Sequence, residues 1–300
     1  MTKILAATEN NEVDNQSDAA DIYERLTEAP PPRAQKEPFA SFLRRNILEL
    51  FNLKFALVSF VVNTLRRRYH NSVLGFAWSL LNPLLTIGVM AFIFSWIFHQ
   101  ELDKFTVYLF GALLPWMYIV ESLTTGSSAY ITNESFLKKL YLPKTFFPLV
   151  VVSISTANFM FSMTSLLFLG FCFGLQPSMP MLMLPLATAC LFLFNFGMAL
   201  ILAVTTLFLR DLTHIVTVLL GLLFYTMPIM YPIETLPEKY HWVFIYDPFY
   251  YFLRLFRILL HEARFPSFEE WGVPLAISAS VFLVALMVLR RKENDIVFRL

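Results

Sequence analysis

Charge is scarce in this chain, and so are cysteine and glycine. Of 300 residues only 15% are charged, two are cysteine and nine are glycine. Cys172 and Cys190 both lie in apolar runs, which excludes a disulfide scaffold and a CxxC metal knuckle. No glycine is followed by Lys-Ser or Lys-Thr, so a nucleotide-cradling phosphate loop is missing. The histidines at 70, 99, 214, 241 and 261 form no HExxH or His–Cys grouping, which removes a standard zinc site, and no metal is expected on this chain. No GxSxG turn is present. A net charge of +1 and an isoelectric point near 7.8 exclude a strongly basic nucleic-acid binder.

What the chain has instead is apolar surface. Hydrophobic residues make up 57% and mean hydropathy is +0.60. A soluble fold of this composition has too little polar surface to cover its core, so the bilayer is the expected solvent and an all-α membrane protein the expected fold class. Residues 1–38 differ in kind. They are rich in Asn, Asp, Glu and Ala and end in a proline run, so they read as a disordered cytoplasmic tail. They lack the apolar stretch and cleavage site of a signal peptide.

A span needs about 20 mostly apolar residues. Six segments qualify: Val73 to Phe98, Phe105 to Ile131, Phe147 to Phe173, Met181 to Leu209, Leu212 to about Tyr231, and Val273 to Leu289. Pro83, Pro115, Pro185 and Pro228 are expected to end or kink several of them. Before them, residues 39–68 alternate Phe39, Leu43, Ile47, Leu50 and Leu57 with Arg44, Arg45, Glu49 and Lys54 at helical spacing. An amphipathic helix in the interface accounts for that pattern better than a seventh span, because each buried charge costs about 2.5–3.5 kcal/mol. With six spans, 18 of the 23 Lys and Arg residues fall on the side holding both termini, which makes that side cytoplasmic.

Four places depart from a plain membrane anchor. Arg66, Arg67 and Arg68, followed by Tyr69, stand at the headgroups before span one, where any inner-leaflet anchor also places cations. The loop Asn133 to Lys144 holds Phe136, Leu137, Leu140 and Tyr141 on one helical face with Lys138 and Lys139 elsewhere, and Pro143 ends it. That pattern fits a docking surface for a soluble partner and a helix resting on lipid equally well. Arg210-Asp211 reads as a tight cytoplasmic hairpin with a local ion pair or helix-end charges. From Pro228 to Trp271 the chain is proline-broken yet densely aromatic, with Phe249, Phe252 and Phe256 at helical spacing, and reads as a structured element at the outer mouth. Glu121 is the acidic residue well inside a span, where a carboxylate usually faces a bundle interior or a partner.

These runs carry a resemblance. Tyr69 to Leu85 (YHNSVLGFAWSLLNPLL), Pro115-Trp116, the Asn133–Lys144 loop, Leu209-Arg210-Asp211-Leu212, Met227 to Pro232 and Asp247-Pro248 together resemble the permease subunit of bacterial ABC exporters for cell-surface polysaccharides. O-antigen, capsule and teichoic-acid exporters make up that group, and the likeness covers about residues 40 to 290. The family usually has Asn where this chain has Asp247, and a shorter tail.

The resemblance implies a homodimeric permease domain, here 69–300, in the bacterial inner membrane. It would work with two copies of a cytosolic ATPase, which bind the ATP and Mg; no cofactor is expected on this chain, and the permease is not itself an enzyme. Residues 132–146 would hold the coupling helix, with Asn133, Glu134, Phe136, Leu137, Lys138, Lys139, Tyr141 and Pro143 facing the ATPase. Residues 232–271 would form the outer gate region. Arg66, Arg67, Arg68 and Tyr69 are the candidates for receiving the pyrophosphate of an undecaprenyl-linked glycan. Trp78, Glu121, Tyr246, Phe249, Phe252 and Phe256 are the candidates for the path and gate.

Other classes fit less well. A drug or small-lipid exporter on the same scaffold would have an ATPase that responds to amphiphiles. An intramembrane transferase needs clustered His, Asp or Glu in the spans, and a secondary transporter needs paired ionisable groups there; neither pattern is present.

Overall fold

The computed structural model describes residues 38–68, 75–98, 102–140, 142–173, 175–231, 233 and 237–299. The expectations for residues 1–37, Tyr69 and Tyr141 lie outside these, as does the side chain of Arg68. Among the described residues all regular structure is helical. In chain order the helices are α1 (Phe39–Asn52), α2 (Lys54–Arg68), α3 (Trp78–Phe98), α4 (Leu102–Ser127), α5 (Ala129–Thr132), α6 (Glu134–Lys139), α7 (Phe146–Cys172), α8 (Leu184–Thr206), α9 (Leu212–Thr226), α10 (Trp242–Ile245), α11 (Pro248–Leu260) and α12 (Phe268–Arg299).

Five of these, α3, α4, α7, α8 and α12, are long and apolar enough to cross a membrane. The fifth expected span is shorter than its apolar run. Helix α9 stops at Thr226, and its 15 residues rise about 22 Å against a hydrocarbon core of about 30 Å. Pro228 explains the early stop, since the residue before a proline is pushed out of the helical region and Met227 is extended. The expected interfacial helix is two helices: α1 and α2 meet at 60° about Leu53 and together are long and apolar enough for a further span. Pro185 does not kink α8 but starts it, at a position where its missing N–H costs nothing.

Helix α8 forms the middle of the bundle, with α4 on one side and α12 on the other. Two glycines allow the close approach. A Cβ on Gly126 of α4 would sit 2.6 Å from Cβ of Ala199, and one on Gly197 would sit 3.0 Å from the backbone of Phe282 in α12. Hydroxyls then stitch helices across these contacts, as small polar groups do in membranes. Ser278 donates to the Cys190 carbonyl at 3.0 Å and Ser165 of α7 to the Leu80 carbonyl of α3 at 3.1 Å.

The expected cytoplasmic end is closed by converging elements. Phe42 of α1 is buried with Leu289 and Ile296 of α12, and Arg45 pairs with Glu293 at 3.2 Å. Phe60 of α2 presents edge-to-face contacts to Phe136, Phe146 and Phe147, with centroids 5.5, 5.6 and 6.1 Å away. At the opposite end, Asp247 caps α11 by accepting from the Phe249 amide at 2.8 Å, and Arg264 grips Glu270 through both guanidinium arms at 2.7 and 2.8 Å.

Candidate functional site

Asn158 of α7 donates its amide hydrogen to the Glu121 carboxylate of α4 at 2.6 Å. Both residues are half-buried and face open space. A cavity of about 580 Å³ extends between α4, α7 and α9, reaching Thr217, Gly221 and Phe224. A second, of about 420 Å³, extends between α4, α7 and α3, reaching Asn82, Pro83 and Thr86. Leu113, Leu114, Met117, Glu121, Asn158 and Ser162 line both, so the carboxylate–amide pair stands where the two cavities meet. Gly221 keeps the α9 wall open, with nothing within 4 Å of where its Cβ would be.

The lining is mostly apolar with a few convergent polar groups, the composition of a small-molecule or glycan groove. Glu121 accepts hydrogen bonds, Asn158 can both donate and accept, and the hydroxyls of Ser162, Thr217 and Thr86 do the same. Trp116, Phe159 and Phe224 are the aromatic residues of the wall besides Tyr118, with Trp116 and Phe159 almost fully buried in it. Behind the groove, Tyr118 stacks on Phe159 at 4.9 Å and its hydroxyl is 2.7 Å from that of Thr156.

The sequence candidates divide. Glu121 lines the groove. Phe249, Phe252 and Phe256 do not face it; they back it. Phe256 meets Phe159 edge-to-face at 5.6 Å and Phe249 meets Trp116 at 5.7 Å, while Phe252 packs on Phe194 at 4.8 Å. Phe252 and Phe256 are fully buried. Helical spacing identified their face but not what covers it. Tyr246 is 81% exposed at the end of α10, and Trp78 is exposed on the first turn of α3, outside both cavities. Asn158, Ser162 and Thr86 were missed; a lone amide in the apolar run of α7 was the available signal.

The loop candidates gather at the other site. Helix α6 buries Leu137 against the body, and Phe136 leans on Phe60 while remaining half in the open. Lys138 and Lys139 are exposed, and Lys138 pairs with Glu134 one turn earlier. Lys138, with Arg210 adding to it, holds the Glu134 carboxyl below its usual range. Asn133 bonds back to the Ala129 carbonyl at 2.8 Å, and Pro143 is buried. Tyr130, buried beneath, donates to the Lys144 carbonyl at 2.7 Å and fixes the loop's return. Arg66 and Arg67 are exposed on the last turn of α2 and touch neither cavity.

Comparison with known proteins shows the family to which these helices belong. Residues 56–261 match the family described as ABC-2 type transporter. The chain belongs to that family. As an ABC-2 transporter chain it is 31% identical over 253 residues to the O-antigen export system permease protein RfbA of Myxococcus xanthus, covering 84% of this chain and 97% of that protein. It is 32% identical over 207 residues to the protein of the same name from Klebsiella pneumoniae, covering 69% and 79%. It is 24% identical over 242 residues to the polysialic acid transport protein KpsM of Escherichia coli, covering 78% and 91%. The family match takes in α2 through α11 and with them both cavities and the α6 loop.

Proposed function

We propose that this chain is the permease subunit of an ATP-driven exporter that moves an undecaprenyl-linked cell-surface polysaccharide of the O-antigen type across the bacterial inner membrane. The Glu121–Asn158 pair in the membrane-level groove carries this reading. Sugar rings present C–H faces to aromatic surface and hydroxyls to acceptors, and the groove offers both. The same mixture suits other small molecules, and the similarity to an O-antigen export permease and a polysialic acid transport protein favours a glycan.

In this reading both termini are cytoplasmic, the permease is a homodimer, and each copy rests on one cytosolic ATPase that binds ATP and Mg. Helix α6 takes the force of nucleotide-driven ATPase closure through Glu134, Phe136, Lys138 and Lys139. Because Phe60 joins α6 to α2, a push on α6 also moves the helix that ends in Arg66, Arg67 and Arg68. Those cations receive the carrier's pyrophosphate at the inner leaflet. Phe249, Phe252 and Phe256 stiffen the groove's wall from behind, and the α10–α11 region gates its outer end.

Export restores surface polysaccharide, so the test is complementation of a strain lacking the gene. The wild-type chain should restore surface glycan detected on whole cells, and the Glu121→Leu/Asn158→Leu double variant should leave it trapped on the cytoplasmic side at normal membrane levels of the protein. Full surface display by the double variant would overturn the role of the groove.

A further inference from the structure

The basic residues expected on the outer side are few, and three of them, Arg254, Arg257 and Arg264, fall within eleven residues of one another. Scarce cations gathered in one place call for an account. Two are accounted for by structure. Arg264 is committed to carboxylates: it pairs with Glu262 at 2.7 Å and grips Glu270 with both arms, and these partners push its pKa further up. Arg257 is held rigidly. Its guanidinium lies 4.0 Å over the Tyr108 ring and donates to the Ile229 carbonyl at 2.6 Å, which pins the turn after α9 to α11.

Arg254 is different. It lies one turn before Arg257 on the same helix face, and its own contacts are long: 3.4 Å to Glu270, which Arg264 already grips, and 3.5 Å to the Tyr250 hydroxyl. Hydrogen bonds of that length are weak. Between the two guanidiniums is a cavity of about 160 Å³ lined by Tyr108, Pro228, Ile233, Tyr250, Arg254, Arg257 and Glu262. A water occupies about 30 Å³, so there is room for a tetrahedral oxyanion. Glu262 is the one carboxylate among these residues, and it shares Arg264 with Glu270, so the three arginines and two carboxylates of this cluster leave a net charge of +1. Burial lowers the pKa of the neighbouring His261, Arg257 lowers it further and Glu262 raises it; the His261 ring is 5.3 Å from that of Tyr108.

We propose that the cleft between Arg254 and Arg257 is a binding site for a phosphate or pyrophosphate group, at the end of the bundle remote from α6. One guanidinium is preset by packing, the other is held only by contacts of 3.4 and 3.5 Å, and Tyr250 and Tyr108 line the same cleft; this matches the forked recognition that arginine gives phosphate. The group is presented by a lipid headgroup or as a free anion. Tyr108 is 19 residues from the α6 end of α4, about 28 Å along the helix, so this site is separate from Arg66, Arg67 and Arg68. Binding stands or falls without reference to export. Within the proposed function, the site would hold the carrier's pyrophosphate after it has crossed.

The test uses the full-length chain in phosphate-free maltoside micelles. Two probes are titrated separately: inorganic pyrophosphate, followed by calorimetry, and phosphatidic acid in mixed micelles, followed by native mass spectrometry with diacylglycerol as the headgroup-free control. At least one probe should saturate the wild-type chain. Arg254→Gln, at a side chain 47% exposed and thus safe for folding, should weaken that probe tenfold or more with an unchanged melting temperature. Arg254→Lys should fall between, and the whole series is run in an Arg66→Gln/Arg67→Gln background so that anion binding at the end of α2 does not enter the titration. Saturation by phosphatidic acid alone assigns it to a lipid headgroup; saturation by pyrophosphate assigns it to the anion itself. Failure of both probes to bind the wild-type chain, or a loss below tenfold in Arg254→Gln, overturns the proposal.

Discussion

Asn158 and Glu121 are hydrogen-bonded at 2.6 Å across the α4–α7 contact, and each lines both of the large cavities. A bond to a charged acceptor is worth about 1.5–3 kcal/mol, and much of that cost returns if both partners become apolar together. Asn158→Leu alone should therefore destabilise the detergent-solubilised protein by about 1.5–3 kcal/mol, and Glu121→Leu/Asn158→Leu by less than the sum of the single changes. Melting of the four proteins in a double-mutant cycle checks this; strict additivity would show that the pair does not act as a unit.

Gly197 has the tightest backbone approach to a second helix, with Phe282 backbone atoms 3.0 Å from its absent Cβ. Gly197→Ala must separate α8 from α12, at a cost of about 1–3 kcal/mol, whereas Gly221→Ala meets open space and should be neutral or slightly stabilising through helix propensity. Paired melts of the two variants read the contrast directly.

Phe60 connects the first helices to α6. Each aromatic contact of this geometry contributes about 0.5–1.5 kcal/mol. Phe60→Leu should leave the chain folded while weakening the hold of α2 on α6, and ATPase stimulation by substrate should fall more than basal ATP hydrolysis. Equal loss of both rates would place Phe60 in general stability alone.

Asp247 combines a cap with a desolvated carboxyl. Burial raises its pKa above the usual carboxylate range, while amides of Phe249 and Tyr250 pull it back in part. The folded state thus binds this proton more tightly than the unfolded state, and this group's contribution to stability declines as pH rises from the unfolded value, about 4, through the raised folded value. Asp247→Asn keeps a cap and removes the titration, so its stability should be flatter across that window. Asp247→Ala should cost about 1 kcal/mol at neutral pH through the lost cap. Melting temperatures against pH for the three proteins measure both effects.

Much of this architecture is legible in the sequence because lipid imposes a simple rule: long apolar runs become long helices. The runs of α3, α4, α7, α8 and α12 follow it closely. The bend at Leu53 is hidden, since leucine is a good helix former and the break comes from packing α1 on α12 and α2 on α7. The run through Tyr231 concealed the end of α9, although Pro228 marked it. In the candidate site, Glu121 stood out because a carboxylate in an apolar run is costly. Asn158 and Ser162 carry no such cost and become meaningful only once α7 lies against α4. Phe252 and Phe256 show the limit of periodicity: it identifies an apolar face, and only the neighbouring helices decide whether that face lines a groove or supports it.

The central claim is that this chain conducts a lipid-linked glycan for an ATPase partner. The most direct measurement is purification from native membranes in mild detergent, reconstitution of whatever co-purifies, and ATP hydrolysis with and without undecaprenyl-linked glycan. The account predicts a stoichiometric ATPase subunit whose turnover rises with the glycan, and a rise that is lost in Glu121→Leu/Asn158→Leu. Purification of the chain alone, where a control transporter keeps its ATPase, or hydrolysis indifferent to the glycan, would contradict it.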